Sequence, residues 1–180
     1  MRVMTGEVTI AAAEADAGSA TDRLGALFDA HHLRLYKLAR RMSDGADDAR
    51  DLVQETFLRA ARAAHAIPDG GTAEEAWLVR VLINLCRDRW RRAVTRQRFE
   101  HLRDAAAASG SDPESALIAR TVVWRALRAL PPRQRAIVVM YELEGGTVEG
   151  VARLLGVTRA TVRWHLSIGR RRMAKLIGSR

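Results

Sequence analysis

Residues 147–163 read TVEGVARLLGVTRATVR, and this stretch decides the fold of the C-terminal part of the chain. Its apolar residues keep a helical period on both sides of Gly156, which permits a tight turn. Thr147 and Thr158 stand where the two helices would be capped. Small Ala152 would let the helices cross closely. The pattern predicts a helix-turn-helix, a motif whose second helix commonly enters the major groove of DNA.

Positive charge is concentrated near this motif. The chain has 30 basic and 21 acidic residues, a net charge of +9, and residues 116–180 hold 13 basic residues against 3 acidic ones. Residues 1–60 have a net charge of −2, and all basic residues except Lys37 and Lys175 are arginines. Such a surface attracts a polyanion, either nucleic acid or an anionic membrane, and charge alone does not choose between them.

The rest of the chain also follows a helical period, and no segment alternates as a strand would. The third helix from the N-terminus is expected to begin at Thr72 and to end at about Arg92. Thr72 forms a capping box with Glu75. The apolar positions of this helix lie opposite a polar sector. That sector contains Arg80, Asn84, Arg87 and Arg91.

Two small helical domains follow from this pattern, so the fold class is all-α. Residues 1–20 are expected to be a disordered tail, and the polar, alanine-rich residues 93–115 a flexible linker between domains 21–92 and 116–180. Fully extended, the linker would span roughly 70 Å. That length is about two turns of duplex DNA, so one chain could touch two separated DNA elements.

Several classes of function are disfavoured. Cys86 is the single cysteine, which excludes an internal disulfide framework, fits a reducing cytoplasm and leaves the thiol a core position. No signal peptide or membrane span is seen, so the protein is expected to be cytoplasmic. His31 and His32 have no partner ligands at metal spacing. Neither a metal, a cofactor nor a catalytic constellation is suggested, and an enzyme is not expected.

Three motifs in the chain carry a family resemblance. Residues 51–60 read DLVQETFLRA, residues 77–92 read WLVRVLINLCRDRWRR, and residues 130–135 read LPPRQR ahead of the helix-turn-helix. Over residues 24–177 the chain resembles the extracytoplasmic-function (ECF) subfamily of bacterial sigma-70 family RNA polymerase sigma factors. The resemblance implies a transcription initiation factor that directs core polymerase to promoters. Its second region would dock on polymerase and open the minus-10 element, and its fourth region would recognise the minus-35 element.

The resemblance also implies roles for individual residues. Leu52, Val53 and Phe57 would lie inside the N-terminal domain, and residues 67–76 would be the loop that captures an unstacked base of the minus-10 element. The polymerase-facing residues would be Asp51, Gln54, Glu55 and Arg59. The minus-10 contacts would be Arg80, Asn84, Arg87, Arg91 and Arg92. The minus-35 contacts would be Arg159, Thr161, Arg163, His165, Arg170 and Arg171.

The implied partners are core RNA polymerase, through its β′ clamp helices and β flap, and promoter DNA. An anti-sigma factor is a common partner in the family. Five residues depart from the family pattern: Ala73, Glu74, Gly150, Trp164 and His165. The first two leave base recognition by the loop open, and Gly150 removes a capping-box partner of Thr147. Trp164 and His165 replace a small and a basic residue, and Trp164 is expected to pack rather than to contact a base.

Two alternatives remain open at this point. A stand-alone helix-turn-helix regulator would bind operator duplexes tightly without polymerase. A helical adaptor that binds only proteins would show no salt-dependent affinity for DNA.

Overall fold

Helices make up every regular element of the computed structural model, which describes residues 4–100 and 115–178, with side chains over 21–96 and 122–178. No strand occurs in those ranges. The all-α prediction is therefore confirmed. The helices form an N-terminal bundle, α1–α3, and a C-terminal bundle, α4–α7.

The N-terminal bundle packs three helices around an aliphatic core. These are α1 (Met4–Met42), α2 (Ala46–Arg62) and α3 (Gly71–Glu100), with a short 3₁₀ turn at Ala64–Ala66. Asp47 and Asp48 occupy the first turn of α2, where acidic side chains favour a helix start. The core predictions are confirmed, since Leu52, Val53 and Phe57 are all buried.

The C-terminal bundle contains shorter helices separated by proline and glycine. They are α4 (Ser115–Arg128), α5 (Pro132–Val138), a π-helical turn (Val139–Leu143), α6 (Val148–Leu155) and α7 (Arg159–Gly178). Pro131 is extended and Pro132 begins α5, because proline has no N–H to lose in a first turn. Gly145 follows the π-helical turn with a φ of 67°, a conformation that glycine adopts without strain.

Three expectations about element boundaries were wrong. Helix α1 already includes residues 4–20, which were expected to be a disordered tail, because alanine favours the helix strongly there. Helix α3 runs to Glu100, eight residues into the expected linker. Thr72 lies inside α3 rather than at its cap, and Gly70 O accepts the first N–H bonds instead. The rest of the linker, 101–114, lies outside the described residues.

The two bundles pack against each other, and their buried apolar side chains form one continuous cluster. Arg135, only 7% exposed, lies at the seam. It donates to the carbonyl oxygens of Met42 at the end of α1 (2.8 Å) and Arg128 at the end of α4, and more weakly to that of Leu130 (3.5 Å). Because the donor is charged and the acceptors are helix-end carbonyls, these bonds are strong ones.

Ion pairs add to this seam. Glu144, just after the π-helical turn, lies 2.7 Å from Arg34 and 2.8 Å from Arg41, both on α1. Arg128 of α4 pairs with Asp44, which lies between α1 and α2, at 3.2 Å. Acidic and basic partners therefore come from opposite bundles at two places.

Candidate nucleic-acid interface

The helix-turn-helix forms as predicted. Thr147 Oγ1 accepts a hydrogen bond from Gly150 N (3.0 Å), and Thr158 Oγ1 accepts one from Thr161 N (3.1 Å). Gly156 ends α6 in the left-handed region with a φ of 64°, where a side chain would be strained. The predictions for both caps and for the turn are confirmed.

Helix α7 has one buried face and one open face. Val162, Leu166 and Gly169 are buried, at the spacing of one helix stripe. A Cβ at Gly169 would lie 2.8 Å from Val138 Cγ2, so α7 crosses α5 closely. The opposite face of α7 carries no acidic residue and points away from the bundle.

The predicted minus-35 residues differ in their freedom. Arg159, Arg163 and Arg171 are exposed, and Thr161 is half-buried. The guanidinium of Arg170 is held by Glu142 at 2.6 Å and lies 5.6 Å from the centre of the Tyr141 ring. Hydrogen bonding to Glu142 raises the pKa of Arg170. Three of the predicted arginines are thus free to reach a phosphate or base edge.

His165 and Trp164 lie side by side on α7. Burial, together with nearby Arg133, lowers the pKa of His165, so its imidazole is neutral at pH 7. Trp164 is 59% exposed. Its ring contacts the His165 ring edge-on, with 4.7 Å between the two ring centroids. The expectation that Trp164 packs into the protein was wrong, because its position lies opposite the buried stripe of α7.

On α3, the predicted minus-10 residues form an exposed stripe with one exception. Asn84, Arg87, Arg91 and Arg92 are exposed. Arg80 is half-buried, and its Nη1 donates to the carbonyl oxygen of Leu154 at the end of α6 (3.2 Å). The C-terminal bundle therefore holds one of the five predicted residues.

The basic stripe of α3 extends further than the sequence indicated. Arg96 and Thr95 join Asp88, Arg91 and Arg92 around a concave patch. Arg96 was missed because the helix was expected to end at Arg92. After Ala93 the apolar pattern is too weak to indicate a helix. The spacing of the arginines at 91, 92 and 96 is the signal that could have shown the helix continuing.

The segment expected to capture a base is shorter than predicted. Helix α3 begins at Gly71, so the irregular part is confined to residues 67–70. Arg23 of α1 donates to the carbonyl oxygen of Ile67 (2.9 Å) and pairs with Asp69 (2.7 Å). These bonds tie the loop to α1, a role that nothing in the sequence singled out for Arg23.

On α2, the predicted polymerase residues lie beside an apolar groove. Asp51 and Gln54 are exposed, whereas Glu55 and Arg59 pair with each other at 3.2 Å. Gln54 also lines a groove of about 360 Å³ between α1 and α2. Apolar side chains dominate that groove, and two of them, Phe28 and Leu58, are each 43% exposed.

Among the side chains of residues 21–96 and 122–178, no three His, Cys, Asp or Glu groups come close enough to hold a metal ion. Over the same part of the chain, no helix combines the length and apolar character that crossing a bilayer requires.

Comparison with known proteins places both bundles in one family. Residues 27–96 match Sigma-70 region 2, and residues 120–173 match Sigma-70 region 4. The ECF RNA polymerase sigma factor SigM of Mycobacterium tuberculosis is 36% identical over 152 residues, which cover 84% of this chain and 76% of SigM. SigL of the same species is 31% identical, with coverage of 78% and 81%.

Solved structures show the same fold. The sigma factor RpoE of Bartonella quintana, in complex with the anti-sigma factor NepR, aligns with a TM-score of 0.58 at 21% identity, covering 88% of this chain and 96% of that one. CnrH, in complex with the cytosolic domain of CnrY, gives 0.58 at 22% identity, covering 91% and 94%. With the two region matches and the SigM likeness, this chain belongs to the family of ECF RNA polymerase sigma factors.

Proposed function

We propose that this ECF sigma factor contacts core RNA polymerase through α2 and promoter DNA through α3 and α7, without catalysing a reaction itself. The order of the two family regions, each with an exposed polar face, carries the proposal. A stand-alone regulator would use region 4 and leave region 2 without a role. Because core polymerase acts in the cytoplasm, the proposal places the protein there.

The α2 surface suits a protein partner. Exposed Asp51 and Gln54 supply polar contacts, and the neighbouring groove offers Phe28 and Leu58 as apolar ones. Interfaces between proteins combine an apolar centre with a polar rim in this way. We assign this surface to core polymerase, with Arg59 and Glu55 as a pair at its edge.

The α3 and α7 surfaces suit DNA. Exposed arginines on both helices can neutralise phosphates, and one of the α7 arginines would also reach a base edge. Arg80 can serve the minus-10 element only after it leaves the Leu154 carbonyl. We therefore infer that promoter binding through Arg80 separates α6 from α3.

An anti-sigma factor is a further proposed partner. In the solved structures, RpoE is bound to the anti-sigma factor NepR and CnrH to the cytosolic domain of CnrY. An inhibitor of this chain would act most directly by covering the exposed α2 surface or by holding the two bundles together.

Run-off transcription with sigma-free core polymerase tests the function. The wild-type protein should give defined start sites on a genomic promoter library. The triple variant Asp51→Ala, Gln54→Ala, Glu55→Ala should bind core polymerase at least about tenfold more weakly. Truncating one interface hot-spot residue costs about 2 kcal/mol or more, and about 1.4 kcal/mol corresponds to a tenfold change in affinity. Glu149→Ala, which removes an exposed carboxylate from α6, is the control and should bind core polymerase normally.

Two results would contradict the proposal. Equal affinity of the triple variant and the wild type for core polymerase would remove α2 from the docking surface. Tight, specific duplex binding by the wild type without polymerase, and no transcription with it, would favour the stand-alone regulator.

A further inference from the structure

The most exposed aromatic side chain of α7 has no structural task in the bundle. Trp164 is 59% exposed, and its ring contacts only His165 among the aromatic residues described. It lies two residues after Val162 and two before Leu166, both buried. At 100° per residue, two steps in either direction lead to the opposite side of the helix. The indole therefore stands outward because of helix geometry.

The exposed neighbours of this indole on α7 are short or basic, whereas Thr161, His165 and Ile168 beside it are half-buried. Ala160 and Ser167, one helical turn away on either side, are exposed and short, so they leave the ring uncovered. Arg171 lies two turns on along the same stripe, and Arg163 flanks it. Neither arginine has a side-chain partner on another bundle helix among the described residues. An apolar ring between free guanidinium groups suits a polyanion that also carries apolar groups.

Double-stranded DNA has one such group in its major groove, the C5-methyl of thymine. We propose that Trp164 is a specificity-determining residue of α7 that packs its indole against a thymine methyl in the minus-35 element. The flanking arginines bind the phosphates on either side of that base pair. This inference rests on the proposed function, because it assigns α7 to the major groove. A protein partner for the indole is the competing outcome, and the basic surroundings weigh against it.

The test replaces thymine by deoxyuridine, which removes only the methyl group. Once the promoter is mapped, templates carry this replacement on either strand at one A·T pair of the minus-35 element at a time. Run-off transcription at limiting sigma factor is then measured with core polymerase. With the wild-type protein, run-off transcription should fall about fourfold when the methyl group is removed at one position. This is the amount expected for one buried methyl group.

Three variants complete the design. Trp164→Ala should transcribe the thymine and deoxyuridine templates equally, and Trp164→Phe should keep part of the discrimination because phenylalanine also packs on a methyl group. Leu176→Ala removes another exposed apolar side chain, 47% exposed, from the last turns of α7. It should discriminate as the wild type does.

The outcomes separate this inference from the proposed function. If Trp164→Ala keeps the full discrimination, or if the wild type shows none at any A·T pair, the methyl contact is overturned although promoter-specific transcription persists. The indole would then belong to a protein contact. If the wild type directs no specific transcription at all, the proposed function itself has failed.

Discussion

The two helices that we propose to bind DNA, α3 and α7, differ in how much of their surface is exposed. On α7, Arg159, Arg163 and Arg171 are exposed, and Arg170 is engaged only within its own bundle. On α3, Arg80 is held by a carbonyl oxygen from the other bundle. In this arrangement the other bundle leaves the proposed minus-35 surface of α7 uncovered, whereas it engages Arg80 of the proposed minus-10 surface of α3.

This difference follows from what each helix packs against. Helix α7 packs mainly on helices of its own bundle, α4, α5 and α6, and its buried residues are Val162, Leu166 and Gly169. Helix α3 is shared, because α5 and α6 pack on it from the C-terminal bundle. A shared helix loses surface whenever the bundles close, and it regains that surface when they part. The strength of the seam thus sets how readily the minus-10 surface is completed.

The largest effect on the seam is expected from Arg135→Ala. Its loss leaves the carbonyl oxygens of Met42, which is buried, and of Arg128, which is partly buried, without their charged donor. The free energy of unfolding should fall by about 3 kcal/mol, as measured by urea denaturation followed by circular dichroism. Arg133→Ala, at an exposed position two residues earlier, should change it by less than about 0.5 kcal/mol. If the two variants lost the same free energy of unfolding, Arg135 would not be a specific stabiliser of the seam between the bundles.

A smaller loss is expected in the turn that supports α7. Gly156→Ala puts a side chain at a φ of 64°, which should cost about 1 to 2 kcal/mol in urea denaturation. Gly25→Ala is the matched change in α1, where a new Cβ meets nothing within 4 Å. It should stabilise by up to about 1 kcal/mol. A neutral Gly156→Ala variant would show that the turn between α6 and α7 relaxes in solution.

Glu144→Gln weakens the charged part of the seam. The carboxylate is 13% exposed, but Arg34 and Arg41 are about one-third exposed, so solvent screens the pairs. We expect a loss of about 1 kcal/mol in the free energy of unfolding, shrinking at high salt. Glu142→Gln breaks an exposed pair with Arg170 inside one bundle and serves as the control. If both variants lose the same free energy of unfolding, the Glu144 pairs hold the two bundles together no better than an exposed pair within one bundle would.

Local structure was predictable where the sequence carries strong local signals. The caps at Thr147 and Thr158 and the turn at Gly156 depend on residues within three positions of one another. Such short-range chemistry can be inferred from one sequence. The buried positions of α2 were predictable for the same reason, since its apolar period is regular.

Contacts between distant residues were not predictable in this way. Arg80 lies 74 residues from Leu154, and Arg41 lies 103 residues from Glu144. No helical period encodes such pairings. The same limit explains Trp164, for which an aromatic residue suggested packing until the buried stripe of α7 was known. Residues 93–100 were assigned to the linker because exposed helices show weak apolar patterning.

The smallest predicted effect concerns Cys86, whose thiol reports whether the two bundles are packed together. It lines a cavity of about 250 Å³ at the seam, together with Arg135. Burial raises the pKa of the thiol from an ordinary 9.0 to about 12, although Arg135 and Arg89 oppose the rise. Between pH 9.0 and about pH 12, the folded protein therefore keeps the thiol proton of Cys86, whereas the unfolded chain releases it. The free energy of unfolding must accordingly fall as pH rises above 9.0.

At about pH 9.5 this loss should reach about 0.8 kcal/mol relative to neutral pH. Urea denaturation of wild type and of Cys86→Ala at both pH values isolates it, because every other titrating group is common to the two proteins. If the bundles stood apart in solution, water would reach the thiol and return its pKa toward 9.0. The two proteins would then show the same pH dependence, and the minus-10 surface would be as open as the minus-35 surface.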